Sequence, residues 1–399
     1  MRIAILSQPS NFHCRKWAKA LAHAGAEVFV MGYEKPEVIK GVEGIQIAPH
    51  LVKNNAVRYA YFQKSRRALA EALKQHRMDI VHPLHLTPYG SWAVKSGFRN
   101  IIPSAIGEDV FGYRPWGELT PEIRRRMFKH TRARISFSDE IKRIIIRKKI
   151  KQVIRSVPVI HADNQSLKQG LIKWFHCPEE KIEVFPYGLD EDPFHRTPEE
   201  IRACRRKLNI PEESPVIFSP RGMKPYYHAD IIFRTFVRLL ESHPELYVIM
   251  ASAGYEMDSG ILKAHERLGP IRTRFILLKE RLPMEELAKV WFNTDIFVSA
   301  PVFDGYSAAV AEGRYCGCIP VVNDVEGNRE IIRDGINGFI VKNFGAESLF
   351  GAVKKIIPSI REIKQQMAPL NRQWVKEHAL SGPCAEKFIR LCQRVLHKD

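Results

Sequence analysis

Short apolar runs alternate with helical stretches along almost the whole chain, and a chain built this way has few means of burying both kinds of element. Arg2-Ile3-Ala4-Ile5-Leu6-Ser7 reads as a buried strand that ends in the loop Gln8-Pro9-Ser10-Asn11. A helix over 13–23 stops at Gly25, and a second strand over 27–31 completes a βαβ unit. The pattern recurs as a helix over 56–75, a strand at 80–82, a helix near 89–96 and a strand at 101–105. Strand-like runs at 158–163 and 182–185 flank a further helix. Beyond Pro186-Tyr187-Gly188-Leu189-Asp190 a second series begins. It places strands at 216–219, 247–251, 275–278, 296–299 and 319–322, with helices over 229–242, 260–268, 284–293 and 308–316 between them. The chain has 399 residues, more than one growing core accommodates. Two such series therefore predict an α/β protein of two doubly wound, Rossmann-like domains, spanning 1–188 and 189–375. A closing segment, 376–399, carries a helix over 386–397 expected to pack back toward the first domain. Ligands of such sheets gather at the carboxyl ends of the strands, so a cleft between two facing domains is the expected site.

No run of 18 uninterrupted apolar residues occurs, and residues 1–31 lack the layout of a signal peptide. The expectation is a cytoplasmic chain that starts at Met1, soluble or peripheral on the inner face of a membrane. Seven scattered cysteines, with Cys316 and Cys318 one residue apart, suit reduced thiols rather than disulfides or a metal site. The net charge of +18 is concentrated between Arg124 and Arg155, where thirteen Lys or Arg face only Asp139 and Glu140. Ile141, Ile144, Ile145, Ile150 and Ile154 recur there near helical spacing, which predicts a basic amphipathic helix over 139–157. Such a helix suits an anionic membrane surface, a phosphorylated acceptor or nucleic acid, or is a solvated face with no partner.

Between Ser299 and Val322 a loop, a short helix and a strand hold two carboxylates, Asp304 and Glu312, seven residues apart. Residues 308–318 are mostly small and apolar, so an ionised Glu312 among them is costly unless a specific partner satisfies it. The turn Asp304-Gly305-Tyr306-Ser307 feeds the helix N-terminus, where unpaired N–H groups and the dipole favour a phosphate-like anion. Glu312 lies about two turns further in, roughly 12 Å along the axis, so the loop and Glu312 could grip two parts of one elongated ligand. Asp304 could instead simply cap the helix.

These residues resemble glycosyltransferase family 4, a GT-B architecture, over residues 2–361. Asp304-x7-Glu312 with Gly313, Gly317 and Pro320-Val321-Val322 is similar to that family's acidic-x7-Glu motif, with Asp in place of the commoner first Glu. Gly327-Asn328-Arg329-Glu330, followed by Gly335 and Gly338, resembles a second segment, and Asp79-Ile80-Val81-His82 and Gly107-Glu108-Asp109 resemble amino-terminal markers. The resemblance implies that Glu312 holds the ribose of a nucleotide-diphosphate sugar and Asp304 the transferred sugar. Gly305, Tyr306, Ser307 and Ala308 would meet the diphosphate through their backbone. Arg221, at the end of a strand, would pair with phosphate oxygens, with Lys224 as a second charge and Glu330 as a further donor contact or a cap. His13 and Asp109 are the acceptor-side candidates. Departures accompany the likeness: Tyr227 and His228 stand where relatives place a second Lys, the amino-terminal Gly-Gly loop is absent, and Ile106 replaces a common His.

The expected activity is transfer of a sugar, with retention, from a nucleotide-sugar donor to a hydroxyl acceptor, in cell-envelope glycan or glycolipid synthesis. The acceptor would be a glycan, a sugar phosphate or a lipid-linked compound. No cofactor and no metal are expected, and cations alone would stabilise the leaving group. The alternatives are an isomerase of the nucleotide-sugar 2-epimerase kind and a basic nucleic-acid binder without catalysis; nucleic acid is not the expected partner.

Overall fold

A computed structural model describes residues 1–51, 58–128, 137–254 and 258–397. The chain divides into two compact units. The first comprises Met1–Leu119, Ala133–Asp190 and Leu380–Asp399, and the second Thr120–Arg132 and Glu191–Ala379.

In the first unit the strands are β1 (Arg2–Leu6), β2 (Glu27–Gly32), β3 (Val42–Gln46), β4 (Ile80–Pro83), β5 (Ser104–Ala105), β6 (Ile160–Ala162) and β7 (Ile182–Val184). They pair in parallel in the orders β3-β2-β1-β4 and β5-β6-β7, and the bridges Val81 to Ile101 and Leu84 to Ser104 join the two sets. The helix Phe12–His23 starts where Asn11 Oδ1 accepts the His13 N–H at 2.8 Å. Its Cys14, Trp17 and Leu21 pack with Ile3, Ile5 and Val28 of the strands, and with Phe388 and Leu391 of the helix Ser381–Leu396.

The second unit holds β8 (Val216–Ser219), β9 (Tyr247–Ala251), β10 (Phe275–Leu278), β11 (Ile296–Ser299), β12 (Ile319–Asn323) and β13 (Phe339–Val341). Their order is β10-β9-β8-β11-β12-β13. Val248, Ile296 and Ile319 of the sheet bury against Phe236 and Leu239 of the helix Ala229–Ser242. Each sheet thus reverses its order at one place, between β1 and β4 in the first unit and between β8 and β11 in the second. Chains leaving neighbouring strands there diverge to opposite faces, which opens a crevice at their carboxyl ends.

Several elements depart from the sequence expectation, which did not contain β13 or the helices Pro198–Lys207, Ala346–Ile356 and Ile360–His378. The helix expected over 56–75 is two helices, Arg58–Lys64 and Arg66–Gln75, broken where Ser65 Oγ bonds the Tyr61 carbonyl at 2.7 Å; residues 56 and 57 lie outside the described ones. The edge strand β3, partly exposed and interrupted by Gly44, carries too little apolar pattern to be read. The basic stretch is not one feature. The helix Pro121–Phe128 belongs to the second unit, where Arg126 Nη1 bonds Asp230 at 2.9 Å and the Pro225 carbonyl at 3.3 Å. The helix Phe137–Ser156 belongs to the first, and Lys129, Arg132 and Arg134 fall outside the described residues.

That second helix is also turned relative to the expected amphipathic arrangement. Ile150, Val153 and Ile154 are buried, but Ile141, Ile144 and Ile145 face solvent while Arg143 and Arg147 point inward. The two guanidinium groups donate to main-chain carbonyls of the turn Gly112–Arg114. Arg143 donates to Gly112 O and Arg114 O, the latter at 2.8 Å, and lies over the Trp116 ring at 4.4 Å. Arg147 donates to Tyr113 O and Trp174 O. Buried carbonyls outrank buried methyl groups because an unmet acceptor costs more than an exposed isoleucine.

Candidate functional site

In the second unit the two loops that leave the strands at the sheet's reversal carry the charged groups. Arg221 follows β8 and Asp304 follows β11, its parallel neighbour. The loops are stitched together along their length. Val302 N–H donates to Tyr226 O at 2.9 Å, the Tyr226 hydroxyl to Phe303 O at 2.6 Å, and His228 Nδ1 to Ala300 O at 2.7 Å. His228 adopts a left-handed backbone at the start of the helix Ala229–Ser242. Of the two residues that stand where relatives place a second Lys, His228 thus helps fix the loop's path and Tyr227 lies against the Arg221 guanidinium.

Arg221 is the hub. Its Nη2 lies 3.0 Å from Asp304 Oδ2, its Nη1 donates to Ser307 Oγ at 2.8 Å, and its guanidinium lies 4.8 Å over the Tyr227 ring. Burial opposes the charge, but Asp304 and the phenols of Tyr227 and Tyr226 outweigh it and hold the guanidinium above its ordinary pKa. Ser307 is the N-cap of the helix Ala308–Tyr315 and is buried, as is Gly305 beside it; Tyr306 and Ala308 are half-buried. Lys224 opens the turn Pro225–Tyr227 and is half-buried.

Glu312 sits on the inner face of that helix, 6 % exposed, with the Trp291 indole N–H donating to its Oε2 at 3.2 Å. Gly313 lets the helix lie against Trp291 and Phe297, whose rings a Cβ would overlap. Arg314, also buried, locks the far side of the helix through Asn371 Oδ1 at 2.7 Å and the Trp374 ring at 4.3 Å; burial lowers its pKa to about 10. The helix Glu326–Ile331 begins against the Asp304–Gly305 backbone at Gly327, while its Glu330 is exposed.

His13 and Asp109 lie in the first unit. His13 is half-buried at the start of the helix Phe12–His23, its ring 5.7 Å from Phe12 and 6.5 Å from Tyr187. Asp109 is 4 % exposed, and its two oxygens accept the N–H groups of Leu86, Ile106 and Gly107 at 3.0 to 3.2 Å. It therefore ties the loop after β4 to the loop after β5. His85, which the sequence reading passed over, stands beside it with Nδ1 4.0 Å from Asp109 Oδ2. Its φ of 92° is a left-handed conformation unusual for a residue other than glycine. Trp291 was also missed, because a tryptophan in an amphipathic helix reads as core. Both His85 and Asp109 line a cavity of about 540 Å³ at the carboxyl ends of β1, β2, β4 and β5, walled by Tyr33, Phe62, Tyr89 and Trp92.

Both units have counterparts among known proteins. Residues 200–374 match the family described as Glycosyl transferases group 1, and residues 2–138 match the family described as Glycosyl transferase 4-like. A D-inositol 3-phosphate glycosyltransferase of Kribbella flavida is 26% identical over 223 residues, which cover 53% of this chain and 51% of that protein. An uncharacterized glycosyltransferase of Methanocaldococcus jannaschii is 22% identical over 355 residues, 86% of this chain and 84% of its own. The chain spans about half the length of the first curated relatives it matches. Among solved structures, a sucrose-phosphate synthase from Thermosynechococcus elongatus has a TM-score of 0.77 at 14% identity, covering all of both chains. Anabaena HepE in complex with UDP-glucose has a TM-score of 0.73 at 14% identity, covering 99% of each. Two Rossmann-like units with parallel sheets, matched over their length in this way, carry the GT-B fold. The chain belongs to the group 1, family 4-type glycosyltransferases.

Proposed function

We propose that the chain transfers a sugar from a nucleotide-diphosphate donor to a hydroxyl acceptor with retention of configuration, without a metal, in glycan or glycolipid synthesis of the cell envelope. The observation that carries the reading is the buried carboxylate of Glu312 just over one turn inside a helix whose N-terminus faces Arg221. A carboxylate accepts two hydrogen bonds from vicinal hydroxyls, as a ribose offers. The diphosphate would seat on the N–H groups of residues 305–308 and compete with Asp304 for the Arg221 fork, Lys224 adding charge. Asp304, relieved of its partner, would then accept from the hydroxyls of the transferred sugar, and Glu330 would complete the donor contacts. Fixed cations stabilise the departing diphosphate as the bond to the anomeric carbon breaks. The acceptor hydroxyl oxygen would attack from the same face and pass its proton to the departing phosphate oxygen, with His13 and Asp109 on the acceptor side. The HepE complex, whose ligand is UDP-glucose, supports a nucleotide sugar as donor.

The test is a thermal-shift screen against UDP-, GDP-, ADP- and dTDP-sugars, repeated with Glu312→Ala. A donor at about a hundred times its Kd stabilises by roughly 2.7 kcal/mol, which raises Tm by several degrees, and the variant should lose that rise. Product analysis completes it. A glycosylated acceptor supports the reading, unaffected turnover in EDTA supports the absence of a metal, and an epimerised nucleotide sugar without acceptor overturns it.

A further inference from the structure

The turned helix Phe137–Ser156 leaves an unusual surface. Ile141, Ile144 and Ile145 are 42%, 51% and 44% exposed, three of the six exposed large apolar side chains among the described residues. At 100° per residue they share one face, and that face continues through Lys148, Gln152 and Arg155, all exposed, with exposed Lys142 at its flank. Arg143 and Arg147 are held inward by main-chain carbonyls, so the face cannot rotate to hide its isoleucines without breaking those bonds. The result is an apolar patch leading into a basic stripe on one rigid helix. A neighbouring side of the same helix contributes Ile146 and Lys149 to the aromatic cavity that holds His85 and Asp109. Burial lowers the pKa of Lys149 there.

We propose that this face docks the first unit on an anionic lipid bilayer and thereby brings a lipid-borne hydroxyl acceptor to the cavity beside it. Isoleucines that enter the acyl boundary while lysine and arginine meet anionic headgroups satisfy both halves of the stripe at once. A second copy of the chain would instead set two basic stripes against each other. Among the described residues no helix is long and apolar enough to cross a membrane, so the contact is with the surface. The clause about the acceptor rests on the transferase reading; the docking clause does not.

The experiment is co-sedimentation of the intact chain with phosphatidylcholine vesicles, with and without phosphatidylglycerol, at low and high salt. Binding is expected only to the anionic vesicles and is weakened by salt. The triple change Ile141→Ser, Ile144→Ser, Ile145→Ser should lower partitioning by at least about tenfold and leave Tm unchanged. Lys148→Ala and Arg155→Ala should each lower it about fivefold at low salt. Equal binding to both vesicle types, undiminished binding of the triple variant, or affinity for RNA or self-association in place of vesicles would overturn the docking. Vesicle binding together with transfer only to soluble acceptors would overturn the acceptor clause alone.

Discussion

A methyl group on Gly327 would lie 2.5 Å from the Gly305 carbonyl oxygen and 2.7 Å from that of Asp304, distances no backbone tolerates without moving. Gly327→Ala should therefore displace the loop that presents Asp304 while the core beneath it stays in place. The expected outcome is a destabilisation of about 1–3 kcal/mol with a larger proportional loss in donor affinity, read by titration calorimetry beside a denaturant curve. Arg221→Ala removes a group that touches Asp304, Ser307 and Tyr227 together. If it serves the leaving diphosphate, kcat/KM for donor should fall roughly 10²–10³-fold with Tm little changed. A fall confined to Tm would make the Arg221–Asp304 pair a structural clasp. Asp304 and Glu312 could be singled out from sequence because both lie in one contiguous segment whose apolar surroundings expose the anomaly of a buried acid. That Arg221 grips Asp304 and Ser307 could not, since the pairing exists only because β8 and β11 are neighbours in space.

The helix Phe137–Ser156 marks a similar limit one level up. Its existence follows from local pattern, but its rotation is set by carbonyls on the Gly112–Arg114 turn and at Trp174, remote in sequence and invisible to any count of apolar spacing. The helix Ala308–Tyr315 is the opposite case: small residues on every side announce a buried element, and it is buried. The rotation has a measurable consequence. Arg143→Ala would leave the Gly112 and Arg114 carbonyls unmet in a buried setting and should cost about 1–3 kcal/mol, large for a residue that reads as surface charge. Arg155→Ala on the exposed face should cost less than about 0.5 kcal/mol. Urea unfolding of the two variants side by side checks this, and equal losses would mean that Arg143 is not the anchor of this turn.

Across the molecule, two sheets of the same 3-2-1-4 order place their working loops at equivalent reversals, and each unit buries imidazole, His228 in the second. The first unit buries two imidazoles completely, His82 and His161. His82 Nδ1–H donates to the Ile102 carbonyl at 2.6 Å, while its Nε2 accepts the Trp17 indole N–H at 3.1 Å. His161 Nε2–H donates to Phe185 O at 2.6 Å, and its Nδ1 faces the Ser104 hydroxyl at 2.7 Å. Burial drives both pKa values down, His82 to about 3 and His161 to about 4. On top of burial, the neighbouring His161 lowers His82 further. A base with a folded pKa below its ordinary value of about 6.5 binds fewer protons folded than unfolded. Its stabilising contribution is complete above that value and is lost as pH falls toward the folded pKa. Each imidazole should then remove up to about 1.4 kcal/mol per pH unit, together about 3 kcal/mol between roughly pH 6.5 and 5. Urea unfolding across that range should show the decline, and His82→Gln, which cannot titrate, should remove about half of its slope whatever it does to stability at neutral pH. His161→Gln offers the same reading if the first variant fails to fold. A stability that stays level from pH 6.5 to 5, or imidazole resonances that titrate near 6.5 in the folded chain, would mean that these rings are charged or solvated and that the core around Trp17 is not closed as described.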